Sequence, residues 1–403
     1  MKSRSDRHIL IVVENLPVPL DRRVWLEATT LQEAGYEVSV ISPMGRGWVE
    51  PYEVIDGVHV YRHTEPVEAH SGAVAYAREY LHAMRHWFRL ARVVWKRRPF
   101  DVIQGCNPPD LIFLLAWWYR FWGVAYMFDH HDVCPELFEA KFNKRGLLYR
   151  IMLIWERLTF ATASVSMATN GSFKQIAVIR GRMAPEDVFV VRSAPRIDTF
   201  TIGPGDPAYR KGAGTVLGYV GVIGQQEGMD LLVQAADHLV HKLGKSDVHF
   251  VIIGFGPQLE EVRQDVRDHG LESYFTFTGP LYGDDLLAAL NVIDIGLSPD
   301  PRNPMNDIST MNKVMEYMTL EKPMVQFELT EGRVSANGAS LYAKANDPID
   351  YARNIAQLID DPDLRSRMGQ IGRKRVTEDL SWAHTTPQLL AAYDRIFEKM
   401  SSR

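Results

Sequence analysis

The feature that most limits this chain is a repeated alternation of short apolar runs with longer amphipathic ones. His8–Glu14 is followed by a helical period from Arg22 to Ala34, a stop at Gly35, and a second apolar run, Glu37–Ile41. Runs that are apolar at nearly every position predict strands buried on both faces, and a strand–helix–strand order predicts a parallel sheet. The pattern continues through a strand at Val58–Arg62, a long helix from Gly72 to Arg98 stopped by Pro99, and strands at Asp101–Gln104 and Ala125–Asp129. It then breaks at the Gly/Pro-rich run Ile202–Gly214 and restarts with strands at Val216–Val220, Val248–Ile253, Phe275–Thr278 and Ile295–Ser298. The expected organisation is therefore two α/β/α domains, residues 1–205 and 206–385, with a division near residue 205 and a last helix in 386–403.

Composition narrows the class. With 403 residues, 46% of them hydrophobic, the chain is long enough for two full cores. A net charge of -5 argues against a general nucleic-acid binder, which needs a basic face for phosphates. Two cysteines, Cys106 and Cys134, make neither a disulfide framework nor a zinc signature and suit a reducing, cytoplasmic compartment. The first apolar run is too short for a signal peptide, and no stretch of about 20 apolar residues predicts a spanning helix.

Several loops carry chemistry. The first turn, Asn15–Arg23, lacks the Gly-x-Gly-x-x-Gly of dinucleotide folds, so such a cofactor is not expected there. Asp129-His-His-Asp132 closes a buried strand, where ligands of open parallel sheets sit. Four adjacent residues cannot readily converge on one ion, so no metal site is expected. The turn Gly218–Gly228, with Gly221 and Gly224, lets a phosphate approach backbone, as do Gly254 and Gly256 in the turn after the next strand. From Asn306 to Phe327 a polar loop runs into a short helix and then a strand. Asp307, Ser309 and Thr310 are expected to supply turn and capping chemistry, and Met311, Val314, Met315 and Met318 an apolar period. Lys313 and Glu316 share one face: either an ammonium for phosphate beside a carboxylate for sugar hydroxyls, or an intrahelical ion pair. In helix 72–98, Arg78, Arg85, Arg89, Arg92 and Lys96 run beside Tyr80, Trp87 and Trp95. That fits a helix lying on an anionic membrane, and equally one packed on the sheet with a solvated basic edge.

Asn312–Met318 followed by Lys322-Pro-Met-Val325 resembles the donor-site segment of GT-B glycosyltransferases of family 4, of the bacterial exopolysaccharide and envelope type. Asp21-Arg-Arg-Val-Trp25 and Phe128-Asp-His-His-Asp132 resemble its acceptor-side loop and its sugar-side turn. The resemblance implies two Rossmann-like domains facing a cleft. It also implies retaining, metal-independent transfer of a sugar from a nucleoside-diphosphate sugar to a saccharide or lipid-linked acceptor, with no cofactor. Glu316 would hold the ribose, with Ser309, Thr310, Asn312 and the backbone at Leu281 lining the nucleotide-sugar site. His131, with His130 as fallback, would line the sugar subsite. Asp307 stands one residue from where the family has a second glutamate, and Ile308 takes that glutamate's place. The family's arginine and lysine of the glycine-rich turn are replaced by Val222 and Glu227. Lys313 is the expected substitute, with Arg22, Arg23, Arg302 and Arg333 as further candidates. A sugar-nucleotide epimerase and a catalytically weakened binding protein remain alternatives, and the expected place of work is the cytoplasm or the inner membrane face.

Overall fold

His8–Val13 (β1) is buried at every position and is hydrogen-bonded in parallel to Glu37–Pro43 (β2) on one side and Val102–Cys106 (β5) on the other. An interior strand of a parallel sheet has both faces covered, and this accounts for its unbroken apolar run. The computed structural model describes residues 3–64, 73–142, 144–195 and 197–402. It divides into two compact units, Met1–Arg192 with Thr385–Arg403, and Ser193–His384.

The first unit holds an eight-stranded sheet of order β3-β4-β2-β1-β5-β6-β7-β8. Its remaining strands are Tyr52–Ile55 (β3), Val58–His63 (β4), Ala125–His130 (β6), Val165–Ala168 (β7) and Val188–Val190 (β8). All pairings are parallel except β3 with β4, a hairpin turned by Asp56 and Gly57, both at positive φ. Helix Arg22–Glu33 is started by Asp21, whose side chain accepts from the Val24 N–H at 3.1 Å. Helix Ala73–Arg97 packs Ala83, Trp87, Leu90, Ala91 and Val94 into the core and leaves Arg78, Arg85, Arg89, Arg92 and Lys96 exposed. The expected first residue of this helix, Gly72, lies outside the described residues. Helix Trp382–Ser401 buries Leu389, Ala392, Tyr393, Ile396 and Phe397 at helical spacing, and Arg395 and Lys399 pin it to Asp187 at 2.9 and 2.5 Å.

The second unit holds a six-stranded, wholly parallel sheet of order β11-β10-β9-β12-β13-β14. Its strands are Thr215–Val220 (β9), Val248–Ile253 (β10), Phe275–Gly279 (β11), Ile295–Ser298 (β12), Met324–Phe327 (β13) and Ser340–Ala343 (β14). Leu217, Phe250, Ile252, Val325 and Phe327 fill one face with Leu232, Tyr351 and Ile355. Val216, Val251 and Ile253 pack the other face against Val314, Met315 and Met318 of helix Asn312–Thr319. At about 25 cal/mol per Å² of apolar surface, each large side chain buried this way contributes roughly 1.5–3 kcal/mol. The Ile202–Gly214 run belongs to this second unit. Gly205 lies so close to Val292 that a Cβ would come within 2.4 Å of the Val292 nitrogen, so that position accepts no larger residue without a shift. No helix among the described residues is long and apolar enough to cross a membrane.

Candidate active site

Parallel strands direct their carboxyl ends to one edge, and the candidate residues of each unit lie on the loops at that edge. In the second unit these are the turns after β9, β10, β11 and β12. The turn after β9 begins at Gly221, and the turn after β10 is laid directly on it. A Cβ on Gly254 would come within 1.8 Å of the Gly221 carbonyl oxygen, and one on Gly256 within 2.2 Å of the Ile223 oxygen. These glycines are therefore needed for two loops to stack, independently of any ligand.

Helix Asn312–Thr319 begins after Met311, which offers no side-chain cap. The capping expected of its upstream neighbours goes elsewhere. Ser309 Oγ donates to the Met305 carbonyl at 2.7 Å, and Asp307 accepts from the N–H and Oγ1 of Thr330, each at 3.0 Å, with Arg302 Nε at 3.4 Å. Thr310 and Leu281 are half-buried, Asn312 is exposed, and Glu316 is buried on the helix face shared with Lys313.

Lys313 does not pair with Glu316. Its Nζ donates to both oxygens of Asp300, at 2.8 and 3.0 Å, and sits 4.7 Å from the centroid of the Tyr219 ring. Asp300 lies two residues beyond β12 and also accepts from Ser298 Oγ at 2.5 Å. Both side chains are at least nine-tenths buried. Glu227, on the glycine-rich turn, adds a third group. Burial pushes its carboxyl up to about 7, a rise that Lys313 opposes and Asp300 reinforces. Val222, in the place of the absent arginine, is 49% exposed. This half-site thus holds one ammonium against two carboxyl groups.

In the first unit the turn after β6 brings together residues from four elements. His131 Nε2 lies 2.6 Å from Asp129 Oδ2, and the His131 backbone N–H donates to Asn107 Oδ1 at 2.7 Å. Arg23 is buried rather than reaching outward: it donates to Asp129 Oδ1 at 2.7 Å and to the Val191 carbonyl at 2.6 Å, and lies 3.1 Å from Glu27. Arg22 is exposed. Burial alone would raise Asp129, but Arg23 and His131 hold it well below the usual carboxylate range. His130 points the other way, its ring 4.8–5.3 Å from those of Phe128, Phe160 and Phe173, and burial lowers it to about 3. It is a core histidine. Cys106, Asp129 and His131 place ligand-type atoms within 4.8 Å of one another. Asp129, however, already serves Arg23, His131 and Gln104.

Residues 20–194 match the family described as "Glycosyl transferase 4-like domain", and residues 214–361 match "Glycosyl transferases group 1". The chain is a GT-B glycosyltransferase. The 2-deoxystreptamine glucosyltransferase of Streptomyces kanamyceticus is 27% identical over 191 residues, 46% of this chain and 47% of that protein, so the match spans about half the relative's length. The fold of this transferase superposes on sucrose-phosphate synthase from Thermosynechococcus elongatus with a TM-score of 0.76, covering 98% of this chain and 100% of that one at 14% identity. It superposes on Anabaena HepE, solved with UDP and glucose, with a TM-score of 0.70 over 98% and 100% of the two chains at 14% identity.

Sequence reasoning about this transferase missed Asp300, although its place just beyond a parallel strand was a usable signal. It also missed Glu27 and Gln104. The spacing of Arg23 and Glu27, one helical turn apart, hinted at a pair, but their burial depends on strands remote in sequence.

Proposed function

We propose that this transferase moves a sugar from a nucleoside-diphosphate sugar to a hydroxyl of a saccharide or lipid-linked acceptor in polysaccharide assembly, with retention of anomeric configuration and without a metal. One juxtaposition carries the reading: Lys313, in the first turn of a helix with no side-chain cap, beside the turn that starts at Gly221, with Glu316 buried one turn further on. The first backbone N–H groups and the dipole of that helix favour the diphosphate. Glu316 accepts from the ribose hydroxyls, and each charge-assisted hydrogen bond is worth on the order of 1.5–3 kcal/mol. Gly221, Gly224, Gly254, Gly256, Leu281, Ser309, Thr310 and Asn312 line the donor. His131 faces the sugar, and the acceptor meets the first unit near Arg22. The names of the relatives support this class: one transfers glucose by its name, and one neighbour was solved with UDP and glucose.

The Asp300 and Glu227 carboxyls modify the expected roles. Lys313 serves the diphosphate only by sharing its ammonium with Asp300, and Asp307 reaches a sugar hydroxyl only while holding Thr330. The protein works at the inner membrane face, held by the exposed basic side of helix Ala73–Arg97. Trp118, Phe121 and Trp122 are also exposed, and Trp122 lies 6.3 Å from Trp95 of that helix. The decisive experiment incubates nucleotide-sugars with and without a saccharide acceptor. Nucleoside diphosphate released only with acceptor supports the proposal. Interconversion of the nucleotide-sugar without acceptor, or binding without turnover, contradicts it.

A further inference from the structure

Five buried polar side chains lie behind His131, and transfer as described so far uses none of them. Asp129, Glu27 and Gln104 are fully buried, Arg23 is 8% exposed, and Tyr393 is fully buried on the last helix. They are joined to one another by hydrogen bonds and ion pairs. Tyr393 donates its hydroxyl hydrogen to Gln104 Oε1. The Gln104 amide donates to Glu27 Oε2 at 2.6 Å and to Asp129 Oδ2 at 3.0 Å. Arg23 bridges Asp129 Oδ1 and Glu27, and Asp129 Oδ2 accepts from His131. Residues from a helix, two strands and the last helix thus converge on one carboxylate.

Charge and donor count decide what such a set does. Arg23 and Asp129 cancel, so a second ionised carboxylate would leave the cluster negative with no solvent to screen it. Glu27 and Asp129 share the Gln104 amide and the Arg23 guanidinium out of reach of solvent, and burial pushes Glu27 well up, with Asp129 reinforcing and Arg23 opposing. Glu27 is therefore the neutral partner. Asp129 stays ionised and accepts on Oδ2 from both Gln104 and the imidazole, so His131 carries its hydrogen on Nε2. Cys106 Sγ lies 3.6 Å from the same oxygen as a thiol, its ionisation suppressed by burial and by Asp129. Gln104 has its orientation chosen for it: were its amide flipped, its carbonyl would face two carboxyl groups and its amine the Tyr393 hydroxyl.

We propose that Arg23, Glu27, Gln104 and Tyr393 are positioning residues that act through Asp129 to fix His131 as the Nε2–H tautomer, leaving Nδ1 as the acceptor for a sugar hydroxyl. The role at the sugar rests on the transferase reading above, whereas the tautomer does not. A carboxylate behind a histidine sets tautomer and ring orientation in this way, and losing such a support elsewhere costs 10–100-fold or more.

The test is ¹⁵N NMR of the histidine side chains in the full-length protein, assigned with His131→Gln, alongside kcat and KM. Wild type should show His131 protonated at Nε2 and bare at Nδ1. Asp129→Asn should shift the proton toward Nδ1 and lower kcat about 10–100-fold with KM changed less than about threefold. It should fold, because Arg23 retains Glu27 as a partner that can ionise. Glu27→Leu and Tyr393→Phe should broaden or shift the His131 signals, and Glu27→Gln, which keeps a neutral donor, should restore them. His131 signals unmoved in Asp129→Asn, Glu27→Leu and Tyr393→Phe would overturn the proposal. Tautomer shifts with His131→Gln fully active would leave the positioning intact and refute only the role at the sugar.

Discussion

Replacing Lys313 by Met is the perturbation whose size the structure sets most tightly. The methionine is close in length and apolar, so packing against Tyr219 survives while the ammonium is lost. Asp300, its side chain 3% exposed, then keeps Ser298 Oγ as its remaining hydrogen-bond donor of those named here. Removing one partner of a buried pair costs about 3–5 kcal/mol, because the other charge is left in a poor solvent. In a unit of this size each kcal/mol lowers the melting temperature by about 2–4 °C, so the second unit should melt roughly 6–20 °C lower at pH 7. Changing Asp300 to Asn in the same protein removes the stranded charge and should recover at least half of that loss. Differential scanning calorimetry of wild type and the two variants reads both numbers. If Lys313→Met melts within about 2 °C of wild type, or if the double variant is no better than the single one, the pair does not bear on the fold as argued. Nucleoside-diphosphate binding should be weakened in both the single and the double variant, since neither supplies a cation.

Glu227 gives a pH dependence. It is an acid whose folded value is raised to about 7, so the folded state holds its proton better than the unfolded chain does. Its contribution is complete below the unfolded value near 4.5 and is lost as pH rises through about 7. Glu227→Gln should therefore flatten the fall in melting temperature between pH 5.5 and pH 8, and should improve nucleoside-diphosphate affinity more at pH 8 than at pH 6; parallel curves for the two proteins would contradict this. Treatment with EDTA should leave transfer intact, and activity that vanished and returned with magnesium or manganese would show the metal-free reading to be wrong. Full-length protein should float with anionic but not neutral liposomes at low salt and be released at high salt, since surface charges are screened within about 8 Å at physiological ionic strength. Changing Arg85, Arg89 and Arg92 to Glu should abolish flotation; wild type that ignores anionic liposomes would remove the membrane from the account.

Most of the strands were legible because a buried parallel strand announces itself: β1, β10 and β12 are apolar at almost every position and bounded by turn residues. The strand β3 was not, since its edge position leaves Tyr52 and Val54 facing solvent and its pairing depends on a turn at Asp56-Gly57. β14 was missed for a related reason, having four residues with two half-buried. The last helix, expected in 386–403 after a start at Ser381-Trp382, runs Trp382–Ser401 and carries Pro387 inside. At the site, the residue types were legible and their partners were not. Arg23 and Lys313 look like outward-reaching cations in one dimension. Asp129 and Asp300, 106 and 13 positions away, claim them in three. Nothing in local pattern distinguishes His130 from His131 either. One step along a strand reverses the side-chain direction, sending one ring into an aromatic core and the other to Asp129.

The most direct measurement is the affinity of the full-length protein for UDP, GDP, ADP and TDP by isothermal titration calorimetry, with wild type and Glu316→Gln side by side. If Glu316 holds the ribose, one nucleoside diphosphate should bind wild type, and the variant, folded to the same melting temperature, should bind it about 10–100-fold more weakly, the loss of a charge-assisted hydrogen bond of roughly 1.5–3 kcal/mol. Equal affinity in the two proteins, or no binding of any of the four to wild type, would contradict the assignment of the donor site to the second unit.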